Sequence, residues 1–124
     1  MALYRCSSPS GGGGGSYVGG TTEATVENTS LTINTGLSSI SQFVWFATQA
    51  ANNKQCVITY DSNMGNYFTV CVPATNAGNF KRAIGSAPIA QVPALTSITG
   101  GTVVLAMATS SGFGNVNTGY WFAC

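Results

Sequence analysis

Between residues 42 and 72 the chain alternates in a way that suits strands. Gln55-Cys-Val-Ile-Thr-Tyr-Asp and Asn66-Tyr-Phe-Thr-Val-Cys-Val are rich in β-branched and aromatic residues. Between them stands Ser62-Asn-Met-Gly65, a polar centre with a glycine where a positive φ is needed. Folding this stretch symmetrically about Asn63–Met64 predicts an antiparallel hairpin over Gln55–Val72. Cys56 then faces Cys71, Ile58 faces Thr69 and Tyr60 faces Tyr67 on one side. Val57 faces Val70 and Thr59 faces Phe68 on the other. Both faces are largely apolar, which predicts a hairpin with little water on either side.

Other runs extend the pattern. Leu31 and Ile33 alternate with Thr32 and Asn34 within 25–34, and Gln42-Phe-Val-Trp-Phe-Ala-Thr48 is almost continuously apolar. Residues 79–84, 102–108 and 118–124 supply three further candidates. Pro88 and Pro93 mark 86–95 as an extended crossing loop, and 97–101 as the turn leading into Thr102. No window carries a helical period with caps. The expectation is an all-β fold, an antiparallel β-sandwich (jelly-roll-like) of about seven short strands. Its expected core holds Leu31, Ile33, Val44, Phe46, Val57, Val70, Val103, Leu105 and Trp121. The last strand is expected to build the end of the chain into the sheet.

Residues 1–20 read differently. Leu3 and Tyr4 precede a Gly/Ser tract from Ser7 to Gly20, with five consecutive glycines at Gly11–Gly15. Such a run loses too much backbone freedom to order itself. It is either a flexible tail or, the favoured reading, an assembly arm that orders against a neighbour through Leu3, Tyr4, Tyr17 and Val18. This divides the chain into an arm, 1–20, and a β-domain, 21–124.

Composition sharpens the picture. Only 6% of the 124 residues are charged, against about 25% in ordinary soluble domains. Polarity comes from Ser, Thr, Asn, Gln and Gly. Such a surface repels other copies weakly. It suits a subunit covered by neighbours better than a secreted Thr/Asn-rich β-domain. A net charge of +1 gives no electrostatic case for nucleic acid or an anionic membrane. No apolar stretch approaches the ~20 residues of a membrane span, and none at the start suits a signal peptide. Synthesis in a cytoplasm is therefore expected.

Candidate chemistry is sparse. The chain has no His, hence no imidazole acid or base. Glu23, Glu27 and Asp61 are its only carboxylates; the first two would share a face if they lay in a strand, but no aromatic cleft adjoins them in sequence. Cys6, Cys56, Cys71 and Cys124 form no C-x-x-C pair, so neither a metal site nor a cofactor is expected. Cys56 and Cys71 read as two small buried thiols, or else as a cross-strand disulfide. Trp45 and Trp121 stand in apolar strands and read as core. Phe113, in a Gly/Ser loop, is a candidate for sugar stacking or protein contact.

Three stretches carry a family resemblance: Met-Ala-Leu-Tyr-Arg-Cys with the glycine tract behind it, Thr29-Ser-Leu-Thr-Ile-Asn-Thr-Gly-Leu-Ser-Ser-Ile-Ser41, and Gly119-Tyr-Trp-Phe-Ala-Cys124. The chain resembles small Gly-rich structural proteins encoded among the virion genes of phages of gut Firmicutes. The resemblance implies a non-enzymatic virion component of tail, fibre, baseplate or head decoration. It implies other virion proteins as partners and a homo-oligomer, trimer or higher, made in the host cytoplasm and released by lysis. Two other readings stand beside it: a carbohydrate-binding module that attaches to a host-surface glycan, and, more weakly, a bacterial surface-filament subunit.

Overall fold

The computed structural model describes residues 17–26, 28–49, 54–63, 66–72, 81–84, 93–107 and 118–124; over 66–72 and 81–84 it gives the strand pairing alone. The described residues are all-β, without a helix, and form nine strands: β1 (Val18–Thr22), β2 (Ser30–Asn34), β3 (Gln42–Gln49), β4 (Lys54–Asp61), β5 (Asn66–Val72), β6 (Lys81–Ile84), β7 (Ala94–Thr99), β8 (Thr102–Ala106) and β9 (Gly119–Ala123). Two antiparallel sheets result, a six-stranded one in the order β1-β9-β3-β4-β5-β6 and a three-stranded one in the order β2-β8-β7. The arrangement is sandwich-like, with one core fed by both sheets.

The central hairpin has the register that symmetry about Asn63–Met64 predicts: Cys56↔Cys71, Val57↔Val70, Ile58↔Thr69, Thr59↔Phe68 and Tyr60↔Tyr67. Asp61 Oδ1 accepts a hydrogen bond from the Asn63 amide at 2.8 Å, the side-chain-to-backbone bond that makes Asp a turn former. Asn63 follows Ser62, whose amide is held by the Ser41 carbonyl at 2.8 Å.

The core corrects three of the nine expected core positions, and the burial of Val70 lies outside the described residues. Ile33, Val103, Leu105 and Trp121 are buried as expected, and Leu31 packs against them. In β3 and β4, however, Phe43, Trp45, Ala47, Cys56 and Ile58 fill the core, while Val44, Phe46 and Val57 stand half-buried on the opposite face. Alternation cannot choose between two apolar faces. What chooses here is the placement of glycines. On the inner face, Gly20 of β1 lies beneath the Trp121 indole, and a Cβ there would come within 2.9 Å of Nε1. Gly119 of β9 makes the same room for Trp45. This face has room for both indoles.

Two strands were unexpected. β1 pairs with β9 from Val18↔Ala123 to Thr22↔Gly119, so Val18, Gly19 and Gly20 belong to the sheet and the arm–domain boundary at 20/21 falls inside β1. β7 replaces the end of the expected crossing loop. A β-bulge between Leu95 and Ser97 lets Leu95 and Ile98, three apart, both pack on the core, which hides the period of two. The β7–β8 turn is tight, with Thr99↔Thr102 as the closing pair. Gly100 holds φ at +57°, the positive value a type II′ hairpin needs at its first central position. Gly101 approaches the Leu37 backbone so closely that no Cβ fits, and its carbonyl accepts bonds from both the amide and the hydroxyl of Thr35, at 3.0 and 2.7 Å.

Candidate interaction face

The outer faces of the two sheets differ in chemistry. On the three-stranded sheet, Ser30, Thr32 and Asn34 of β2 are exposed beside Thr102 of β8. Thr102 Oγ1 donates to Asn34 Oδ1 at 3.2 Å across this register pair. This is an ordinary solvent face, polar residues alternating with buried apolar ones.

The six-stranded sheet differs: polar residues such as Thr21, Gln55 and Thr59 surround an apolar centre on its outer face. Phe122 and Tyr120 of β9 are 54% and 52% exposed. Phe122 pairs with Val44, which pairs with Thr59; Tyr120 pairs with Phe46, which pairs with Val57. These side chains share the face turned away from the core, because Phe43, Trp45, Trp121 and Ala123 occupy the other. A contiguous exposed aliphatic and aromatic surface of this kind marks an interaction site. Against it lies an open groove of about 430 Å³, lined by Tyr17, Gln42, Phe43, Val44 and Phe122.

One end of the face carries a polar rim. The Tyr17 hydroxyl donates to Gln42 Oε1 at 3.3 Å, and Gln42 Nε2 donates to Asp61 Oδ2 at 3.1 Å. Cys124 lies in the same row. Its amide donates to the Gln42 carbonyl at 3.0 Å, and its carbonyl accepts from the Ser41 and Gln42 amides at 2.6 and 3.1 Å. Cys124 is disulfide-bonded. Its Sγ lies 3.9 Å from Gln42 Oε1, a packing contact, since a disulfide sulfur has no proton to donate.

The residues singled out in the sequence fall in three groups. Tyr17 is 43% exposed and forms part of the groove. Val18 packs against the core of its own sheet and is no free anchor, a correction that follows from β1 being a strand. Cys56 is a buried, reduced thiol opposite Cys71 in register, so the cross-strand disulfide is not formed there. Leu3, Tyr4, Glu27 and Phe113 lie outside the described residues. Glu23 is exposed beyond the end of β1 in non-strand chain, so the strand geometry that would align it with Glu27 is absent at its end. Asp61 already accepts bonds through both oxygens. Among the described residues no cluster of His, Cys, Asp or Glu could hold a metal ion, and no helix is long and apolar enough to cross a membrane.

The exposed aromatics Tyr120 and Phe122 escaped sequence reasoning. They stand in the same run as Trp121, and their alternation with Trp121 and Ala123 was the available signal. No family model, no curated protein and no solved structure matches this chain.

Proposed function

We propose that this protein is a non-enzymatic structural subunit of a phage particle, whose six-stranded sheet is covered by neighbouring subunits in the assembly. The observation that carries the reading is the apolar centre of the large sheet's outer face, Tyr120, Phe122, Val44, Phe46 and Val57, wider than the Val104 and Ala106 set among Ser30, Thr32, Asn34 and Thr102 on the small sheet. Exposed apolar area is stabilised by burial at roughly 25 cal/mol per Å². In a chain with 6% charged residues little electrostatic repulsion opposes that burial. The resemblance of 29–41 and 119–124 to small Gly-rich virion proteins supports the particle as the setting. The segment before β1, with Leu3 and Tyr4, is an additional contact to other virion proteins.

A second reading has its own support. Tyr17 and Phe122 line a groove beside Gln42, with Asp61 hydrogen-bonded behind it. Aromatic rings next to amide and carboxylate groups suit a sugar ring, so the same face could bind a host-surface glycan.

The test is incorporation. Particles purified from a lysate of the host that carries the gene should contain the chain in many copies by quantitative mass spectrometry. A Tyr120→Lys/Phe122→Lys chain should fold but be missing from them. A chain absent from purified particles refutes the structural reading. Glycan-array binding lost on Phe122→Ala, without any self-association, would favour the second.

A further inference from the structure

The six-stranded sheet has β1 at one edge and β6 at the other. Which backbone groups each edge turns outward follows from a few bonds inside the sheet. Gln42 and Cys124 exchange both backbone bonds, at 3.1 and 3.0 Å. They form a hydrogen-bonded pair, and such pairs alternate along an antiparallel ladder. Along β9, Phe122 and Tyr120 therefore bond to β3, while Ala123, Trp121 and Gly119 bond to their β1 partners Val18, Gly20 and Thr22. Gly19 and Thr21 turn their N–H and C=O groups outward, and both residues are exposed. The same alternation runs on through β3, β4 and β5, in agreement with the Ser62–Ser41 backbone bond of 2.8 Å. It leaves the backbone groups of Arg82 and Ile84 outward on β6.

We infer that β1 of one copy pairs with β6 of a second copy, so that the six-stranded sheet continues from copy to copy. Each strand of the sheet runs antiparallel to its neighbour, and the number of strands is even. β1 and β6 therefore run in opposite senses, and a copy set edge to edge meets β1 antiparallel. Outward groups meet outward groups when Thr21 stands opposite Arg82 and Gly19 opposite Ile84. That register sets Thr22 opposite Lys81. It also brings Glu23, exposed just past the end of β1, diagonally beside Arg82. Opposite charges at such positions stabilise a strand pair. Two β6 edges would instead set Lys81 and Arg82 against their own kind, so the charges select the unlike edge. β1 itself carries nothing that guards an edge: Val18–Thr22 holds no charge and no proline, and its ladder runs without a register shift. Gly19 and Gly20 bring no side chain against an arriving strand.

The pairing rests on the reading that copies of this chain associate, but it uses the sheet edges where that reading uses the outer face. The contact is heterologous and builds an open file or a closed ring of copies. Four residue pairs bury far less than the ~1,200 Å² of a stable interface. The edges therefore meet where copies are crowded together and part in dilute solution.

The test uses the full chain carrying Arg82→Lys, concentrated at low salt, with isotope-labelled and unlabelled chains in equal parts. A water-soluble carbodiimide joins carboxylates to amines in direct contact, and the digest is read by mass spectrometry. Mixed-isotope products joining Glu23 to position 81 or 82 are the expected result. Within one copy these positions stand five strand spacings apart, ~24 Å, beyond the reach of a bond without a spacer. Products from Glu23 to Lys54 alone, or no mixed-isotope product from Glu23, overturn the inference. Hydrogen exchange gives a second readout on the parent. The outward amides of Gly19 and Thr21 should slow as the concentration rises, while the amide of Gly20, bonded to Trp121, is slow throughout. Glu23→Arg or Arg82→Glu alone should weaken this protection by up to about fivefold, and an equimolar mixture of the two should restore it. A mixture no better than the single variants overturns the inference, as does protection unchanged in the Arg82→Glu chain, the mark of β1 pairing with β1. A crosslinked chain that does not associate through Tyr120 and Phe122 upholds the edge pairing and refutes the outer-face reading. Association through those residues without the crosslink does the reverse.

Discussion

The indole Nε1 of Trp45 donates a buried hydrogen bond to Thr22 Oγ1 at 3.1 Å, and it does so across Gly119 of the strand between them. A Cβ at position 119 would lie 2.5 Å from Thr22 Oγ1 and 2.6 Å from Trp45 Nε1. The bond ties the edge strand β1 to β3 through a gap that only glycine leaves. Gly119→Ala should therefore cost about 1–3 kcal/mol by overpacking. Thr22→Val keeps the shape but orphans the indole N–H, and should cost about 1–3 kcal/mol. Urea unfolding followed by tryptophan fluorescence measures both. Two variants as stable as the parent would show that β1 is not locked by this contact.

The glycines of the β7–β8 turn should respond unequally. A Cβ on Gly100 meets nothing nearer than the Ser38 carbonyl at 3.5 Å, so Gly100→Ala costs only the strain of a positive φ, about 1–3 kcal/mol. On Gly101 the added Cβ would overlap the backbone of Leu37, which no rotamer change relieves. Gly101→Ala should destabilise more than Gly100→Ala in the same unfolding assay. The reverse order would contradict the packing of residues 35–37 over this turn.

The elements that were legible in sequence are those whose periodicity is local. The hairpin of Cys56 and Cys71 follows from a symmetric arrangement of β-branched and aromatic residues about one turn, and its register holds pair by pair. β1 was not legible because Gly19 and Gly20 look like the tail of a flexible tract. Their reason for being glycine is Phe122 and Trp121, a hundred residues away in sequence. The facing of β3 was not legible for the same reason: Trp45 turns inward where the distant Gly119 leaves room for it. The interaction face inherited that ambiguity. Tyr120 and Phe122 alternate with Trp121, an expected core residue, so what sequence did not show is that Val44, Phe46 and Val57 join them on the outer side.

The central claim is that the outer face of the six-stranded sheet exists to be covered. Sedimentation equilibrium over a wide concentration range, run on the parent chain and on Tyr120→Lys/Phe122→Lys, tests it most directly. Both substituted side chains are more than half exposed, so the fold should survive, with a circular dichroism spectrum and melting point close to the parent's. The account predicts that the parent self-associates and that the double variant is monomeric at the same concentrations. A parent chain that stays monomeric throughout, or a variant that associates as strongly as the parent, would contradict it.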